Sequence, residues 1–416
     1  MNKILMTAFH FPPQAGSSGV LRTLNFVKYL PEHGWQPTVL SAHPRAYTQT
    51  RADLLSAIPE RVKVIRAQAL DAGRHLSILG KYPRIFALPD RWATWWFDAV
   101  RQGKAEIRRS CPDLIWSTYP VSTAHLVGLS LARASGRPWI ADFRDPMVNG
   151  NYPGDLLQRR VWAAIEARVL RETAVCVFTT ENAAQTYRER YPAAADKCVV
   201  IANGYDEAAF TDVRPARPGV EPDTLLLLHS GAIYPQDRNP GPFFAAVRGL
   251  LEARVLDPAR LCIRFRATGH DDEVRAAVHA HGLEAVVDIA PPVPYSDALS
   301  EMMGADGLLV FQGSAFNTQI PAKIYEYLRA GRPILALVDP GGNTAKTLSP
   351  FDAVMEADIT DEAAIGRGLV EWLAQMDLPD LPSWLEKNQQ AVLRSYSRAS
   401  QAAVLAGICT DVAARS

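Results

Sequence analysis

Four short stretches combine residue types that can handle a charged, polyhydroxylated ligand. In residues 311–337, FQGSAFNTQIPAKIYEYLRAGRPILAL, Lys323 and Glu326 stand three residues apart, a spacing that projects both from one side of a helix near its start. A helix start presents unpaired N–H groups and a positive dipole end, which attract phosphate. Lys323 adds a cation, and Glu326 can accept from sugar hydroxyls. Asp142-Phe143-Arg144-Asp145 gathers two carboxylates and a guanidinium, a costly set unless its members pair or meet a polar ligand. Gly16, Ser17, Ser18 and Gly19 let the backbone approach a ligand closely and open a helix, in which Arg22 either assists an anion or is a solvated helix arginine. The order is not G-x-G-x-x-G, so a dinucleotide site fits poorly. Arg238 lies close behind the Ser230-Gly231 turn, and its bidentate, permanently charged fork suits a diphosphate; the alternative is a solvated loop arginine.

The elements that must position these residues follow from periodicity. Apolar runs at 3–9, 38–41, 62–66, 113–117 and 138–142 read as buried strands, with helical patterns at 20–33 and 122–134. The second half repeats the order: strands at 225–229, 262–268, 286–290 and 307–311, the last followed by a helix opened by Pro321 and closed by Gly331 and Pro333. Alternating strands and helices predict an α/β fold with parallel sheets, and ligands then collect beyond the carboxyl ends of the strands. That places weight on Tyr119 and on Asp142 to Asp145. Arg144 either pairs with Asp142 or Asp145 or faces a ligand; His125 either faces the site or is a satisfied core histidine. The expected organisation is a first domain at 1–212, a proline-rich linker at 213–222, a second domain at 223–394, and a closing helical segment at 395–416 that crosses back to the first domain.

Glu326, Tyr327 and Leu328 with Gly331 and Pro333 resemble the E-x-x-x-x-G-x-P donor-site helix of the family-four retaining glycosyltransferases of GT-B fold. The stretches S-T-x-P-x-S-x-A-H-L from Ser117 and P-W-I-A-D-F-R-D-P from Pro138 resemble the polysaccharide-making branch of that family, and N-G-x-D-x-x-x-F from Asn203 resembles the phrase that ends the family's first domain. The resemblance implies α/β GT-B architecture, two Rossmann-like domains with parallel sheets facing across a cleft. The second would hold a nucleotide-sugar and the first a saccharide or polyprenyl-linked acceptor. It implies retaining glycosyl transfer, with Arg144, Asp145, Arg238 and Lys323 as catalytic groups. Donor binding falls to Gly16, Ser17, Ser18, Gly19, Gly231, Arg238, Lys323 and Glu326, with the backbone around Val293 at a base edge. Arg22, Tyr119, His125 and Asp142 lie on the acceptor side. Thr318 stands where the family carries a first glutamate, eight positions before Glu326, so the usual contact to the transferred sugar differs here. No D-x-D phrase stands in a suitable place, so neither a metal nor a further cofactor is expected. Two rival readings share the fold: a sugar-nucleotide epimerase, and a non-catalytic nucleotide-sugar-binding protein.

Lys plus Arg and Asp plus Glu number 44 each, so no global field favours nucleic acid, and none is expected as a partner. The five cysteines are scattered without a C-x-x-C pair, which suits a reduced cytoplasmic protein. No apolar run is long enough to cross a bilayer. Between Arg74 and Arg109 there are eight Lys or Arg against three acidic residues, with Trp92, Trp95 and Trp96 among them. This mixture suits contact with an anionic membrane at its inner face, or else a buried aromatic cluster.

Overall fold

The computed structural model describes residues 1–15, 19–77, 81–150, 152–234, 238–317 and 319–415. The short apolar runs do form strands, and contacts group the chain into two units: residues 1–203 with 398–416, and residues 204–397. In the first, β1 (Asn2–Ala8), β2 (Trp35–Ala42), β3 (Lys63–Ala67), β4 (Leu114–Thr118), β5 (Trp139–Arg144), β6 (Val175–Phe178) and β7 (Cys198–Val200) form one parallel sheet in the order β3-β2-β1-β4-β5-β6-β7. Every residue of β4 and β5 is buried, because helices cover both faces of the sheet. The helix Ser122–Ser135 sits hard against these strands at Gly128, where a Cβ would come within 2.8 Å of Ser117 Oγ.

The second unit builds β8 (Leu225–Ser230), β9 (Leu261–Arg266), β10 (Val287–Ala290), β11 (Gly307–Gln312), β12 (Ile334–Val338) and β13 (Val354–Asp358) into a parallel sheet ordered β10-β9-β8-β11-β12-β13. Each sheet therefore has a point where the chain, having run outward on one side, returns to the other side of its first strand. These switch points fall between β1 and β4 and between β8 and β11. The β8–β11 ladder pairs only Gly307 with Leu227 and Leu308 with Leu228, so the two strands part towards their carboxyl ends.

The units divide at 203/204 rather than at 212, because Tyr205 and Phe210 are buried in the second core beside Leu226, Leu299 and Tyr325. The expected linker at 213–222 is fastened to the same unit: Ala216 N donates to Ser300 O at 3.0 Å, and Arg217 pairs with Asp306 at 2.8 Å. Its proline and charge content reflects irregular backbone tied down by polar contacts. The helices Leu381–Tyr396 and Arg398–Ala414 break at Ser397, and the second belongs to the first unit, where Leu405, Ala406 and Cys409 join Leu24 and Val27 in one core.

The Trp/Arg segment forms the helix Trp95–Ser110 and its approach, and here the membrane-facing expectation for the indoles needs correcting. Trp95 is fully buried, and Trp92 and Trp96 pack on the core, Trp96 Nε1 donating to Ser130 Oγ at 3.0 Å. Arg84, Arg91, Arg101 and Arg109 pair with Asp155, Asp71, Asp98 and Glu106. The core needed the indoles, and local carboxylates, two of them outside the 74–109 window, neutralise most of the charge. Among the groups that remain exposed are Tyr82, Ile85, Phe86 and Phe97, with Lys81, Lys104 and Arg108. No described helix is long and apolar enough to cross a membrane.

Candidate functional site

In the second unit the chemistry converges on the β8/β11 switch point. The helix Lys323–Ala330 buries Ile324, Tyr325, Tyr327 and Leu328, which leaves Lys323 and Glu326 on its open side. Pro321 stands just before it, its carbonyl accepting from Ile324 N at 3.1 Å, and Gly331 in the left-handed region ends it. Lys323 Nζ reaches back to β8 and lies 3.1 Å from His229 Nε2. Gly231 adopts φ +114°, and a Cβ there would sit 3.0 Å from Lys323 Nζ, so a side chain would push the ammonium aside. Burial, reinforced by Arg238, brings the Lys323 pKa down to about 7, with Glu326 pulling the other way.

Arg238 is held from the opposite side. Its Nε and Nη2 donate to Gln312 Oε1 at the end of β11, at 3.2 and 3.0 Å, and Nη1 donates to Ala232 O at 3.0 Å. The guanidinium lies 5.1 Å from the centre of the Tyr234 ring. Tyr327 Oη accepts from Ser230 N at 2.8 Å, where the strand ladder would otherwise continue. Glu326 Oε1 accepts from Tyr295 Oη at 2.7 Å. Val293 follows β10, two strands away from β8, in a loop secured by the 2.7 Å bond from Arg266 Nη1 to Pro291 O. The structure thus brings Gly231, Arg238 and Lys323 to one crevice, with Glu326 one helical turn along.

The first unit has its own crevice at β1/β4, and there Arg22 does what neither reading of it anticipated. Arg22 is buried, not solvated: its Nε and Nη2 grip Asp142 Oδ2 and Oδ1 at 3.0 and 3.1 Å, and Nη1 and Nη2 also donate to Ala202 O and Ile201 O, both at 3.1 Å. Thr118 Oγ1 adds a bond to Asp142 Oδ2 at 3.0 Å. Arg22 and Asp142 therefore lock the strand ends to the 201–202 segment. Arg144 does not take Asp142 as its partner. It sits at a register shift of β5 with φ +64°, donates from Nη1 to Tyr119 O at 3.4 Å, and has a buried Nε with no hydrogen-bond partner among the described residues. Asp145 accepts from Thr179 Oγ1 at 3.3 Å, and its burial raises its pKa.

His125 lies in the core but is only half satisfied, its Nε2 having no hydrogen-bond partner among the described residues. It is fully buried, Nδ1 lies 2.8 Å from Ser117 Oγ, its ring is 4.7 Å from that of Phe143, and burial lowers its pKa to about 4. Tyr119 is buried at the end of β4, with its hydroxyl against Tyr152 and its pKa raised by burial. Gly19 opens its helix as expected. Gly16, Ser17, Ser18 and Thr318 lie outside the described residues.

Sequence reasoning missed four polar groups here: His10, His229, Tyr295 and Gln312. His10 lies two residues past the end of β1, and burial together with Arg144 lowers its pKa to about 4. His229 is the penultimate residue of β8. Each is a single residue without a spacing rule, and its only signal is its place at the end of the first strand of its half. Beside Tyr119 a cleft of about 440 Å3 is lined by Trp92, Tyr152 and Trp162 together with Arg84, Arg91 and Gln158. Aromatic faces beside planar hydrogen-bonding groups suit the two kinds of surface a pyranose presents. Among the described residues, no group of three His, Cys, Asp or Glu could hold a metal ion.

Residues 19–204 match the glycosyl transferase 4-like domain. Comparison with curated protein sequences gives no match. Among solved structures, a sucrose-phosphate synthase from Thermosynechococcus elongatus is similar over 100% of both chains, at 14% identity and a TM-score of 0.69. The Anabaena protein HepE in complex with UDP is similar over 99% of this chain and 100% of its own, at 13% identity and a TM-score of 0.67. A putative UDP-N-acetylglucosamine 2-epimerase from Listeria monocytogenes is similar over 99% and 97%, at 13% identity and a TM-score of 0.60. At these identities the likeness establishes the fold, which transferases and epimerases share.

Proposed function

We propose that this chain, a glycosyltransferase of GT-B fold whose residues 19–204 form a glycosyl transferase 4-like domain, moves a sugar from a nucleotide-sugar to a saccharide or lipid-linked saccharide, with retained configuration, in cell-surface polysaccharide synthesis. The observation that carries this reading is the meeting of Arg238, Lys323 and Gly231 at the β8/β11 switch point. As the bond from the sugar to the diphosphate breaks, negative charge grows on the leaving group. Two cations fixed in a partly dry crevice offset it in the transition state more than in the ground state. Glu326 is assigned to the ribose hydroxyls, and Val293 to a base edge. The UDP complex of HepE supports a nucleoside diphosphate as the leaving group. With Arg238, Lys323 and a helix start available, the reading assigns no role to a metal or further cofactor.

The acceptor is assigned to the first unit. The reading gives catalytic roles there to Arg144, whose buried Nε has no hydrogen-bond partner among the described residues, and to Asp145, and it gives the aromatic cleft beside Tyr119 to the acceptor saccharide. The reading assigns the protein to the cytoplasm at the inner face of the plasma membrane, with the exposed Ile85, Phe86 and Phe97 and with Lys81 and Lys104, rather than the indoles, as the surface offered to an anionic membrane. Incubation with a panel of nucleotide-sugars, with and without oligosaccharide and polyprenyl-linked acceptors, tests the reading. Release of nucleoside diphosphate that depends on acceptor, with the anomeric configuration kept, is expected. Isomerisation of the donor without acceptor would make the protein an epimerase, and binding with neither reaction would make it a non-catalytic binder.

A further inference from the structure

We infer that His229 is a positioning residue for Lys323, a neutral imidazole locked in one tautomer whose Nε2 lone pair fixes the lysine nitrogen over Gly231 at the mouth of the β8/β11 crevice. The inference rests on the assignment of that crevice to a diphosphate and goes beyond it, because it names what aims the cation.

The tautomer follows from what each neighbour can do. His229 Nδ1 lies 2.9 Å from Leu309 O, and a carbonyl can only accept, so Nδ1 carries the hydrogen. Nε2 lies 3.1 Å from Lys323 Nζ and 3.1 Å from Gly231 O. A hydrogen on Nε2 instead would satisfy Gly231 O but leave Leu309 O facing a lone pair at the shorter distance. It would also present an N–H to an ammonium that has only N–H groups to offer. With the hydrogen on Nδ1, the ammonium donates to Nε2 and keeps its other hydrogens for a ligand. Leu309 O is available because the β8–β11 ladder stops at Leu228, one residue before His229. Tyr327 Oη takes the Ser230 N–H at the same break. The opening that makes the crevice therefore also frees the carbonyl that sets the histidine.

The charged and titratable groups around the pair keep the ring neutral. Arg238 acts on both Lys323 and His229, Glu326 lies on the lysine's own helix, and the Tyr327 hydroxyl stands at the strand break. Burial and the two cations hold His229 well below the ordinary histidine range. Lys323 titrates near pH 7 without a ligand, so a diphosphate that favours its charged form is bound with uptake of a proton above that pH. His229 Nε2 stabilises the same charged form, since it accepts from the ammonium.

Calorimetry with UDP as the probe, repeated from pH 6 to 9, tests the inference on the full chain. Wild-type affinity is expected to fall with rising pH above about 7. H229L removes the acceptor and is expected to weaken UDP binding about ten- to a hundredfold, and to move the pH at which affinity begins to fall downwards. H229Q, whose amide oxygen can occupy the Nε2 position, should recover most of both effects and keeps the test open if H229L fails to fold. In a K323M background, where affinity should no longer follow pH in this range, H229Q should add nothing. A histidine that only supports the fold would change melting temperature and leave the pH profile in place, and that result overturns the inference. If K323M itself binds UDP like the wild type, the diphosphate assignment fails instead.

Discussion

Arg22→Met should be among the most damaging single substitutions in the first unit, although Arg22 reads in the sequence as a helix-surface residue. The Arg22–Asp142 pair is 1% and 0% exposed, and the guanidinium serves Asp142 twice and the carbonyls of Ile201 and Ala202 once each. Removing it leaves Asp142 buried with, among the described residues, the Thr118 hydroxyl as its side-chain hydrogen-bond donor and Arg144 as a neighbouring cation. Breaking a buried pair from one side costs about 3–5 kcal/mol, because the remaining charge is uncompensated. In a unit of this size that corresponds to a loss of about 6–20 °C in melting temperature. The assay is favourable: of the nine tryptophans, only Trp372 and Trp384 lie in the second unit, so fluorescence follows unfolding of the first. Arg22→Met/Asp142→Leu should lose less than the two single substitutions together, with a coupling of about 0.5–3 kcal/mol. A melting temperature within about 2 °C of wild type for Arg22→Met, or strictly additive losses, would refute the pairing as the reason for these residue types.

Other outcomes follow from the same contacts. Because the Lys323 pKa is lowered from 10.5 to about 7, the folded chain binds fewer protons than the unfolded one between those values, so the burden on stability is full below about pH 7 and fades towards 10.5. Lys323→Met should therefore gain stability over wild type most at pH 6 and least near pH 10 in thermal melts, and a pH-independent gap would contradict the buried, perturbed amine. Glu326→Ala should lower nucleoside-diphosphate affinity in calorimetry by about 1.5–3 kcal/mol, since a charged acceptor to hydroxyls is lost; unchanged affinity removes Glu326 from the site. Co-sedimentation with anionic vesicles should fall when Ile85 and Phe97 become Ser and stay level in Trp95→Phe, because only the former pair is exposed. Absence of binding to such vesicles at low salt ends the membrane reading.

Most strands were legible because buried parallel strands are nearly continuous apolar runs, as in Leu225–Ser230, whose four leucines have no competing helical period, although the short apolar Val175–Phe178 and Cys198–Val200 were not read. Val354–Asp358, with a glutamate and an aspartate in five residues at a sheet edge, carries no such signal and was not read. The helix Lys323–Ala330 was legible from Pro321, Gly331 and Pro333. The partners of the site's two cations were not, because His229 on β8 meets Lys323, and Gln312 on β11 holds Arg238, only through the sheet order. The same gap explains Arg22 and Asp142, which lie 120 positions apart and show neither burial nor pairing in local composition. The tryptophans misled for a related reason: an amphipathic side chain suits a headgroup zone and a core equally well, and only the packing of Trp95 against the sheet decides between them.

The central claim, that the β8/β11 crevice of the second unit holds the nucleoside diphosphate, is tested most directly by backbone hydrogen exchange with and without saturating UDP. Slower exchange is expected in peptides covering Gly231 to Tyr234 and Lys323 to Leu328, with Arg238→Ala abolishing the effect and β1 and β4 of the first unit serving as the internal reference. Protection confined to the first unit, or protection in the second unit that survives Arg238→Ala and Lys323→Met together, would contradict it.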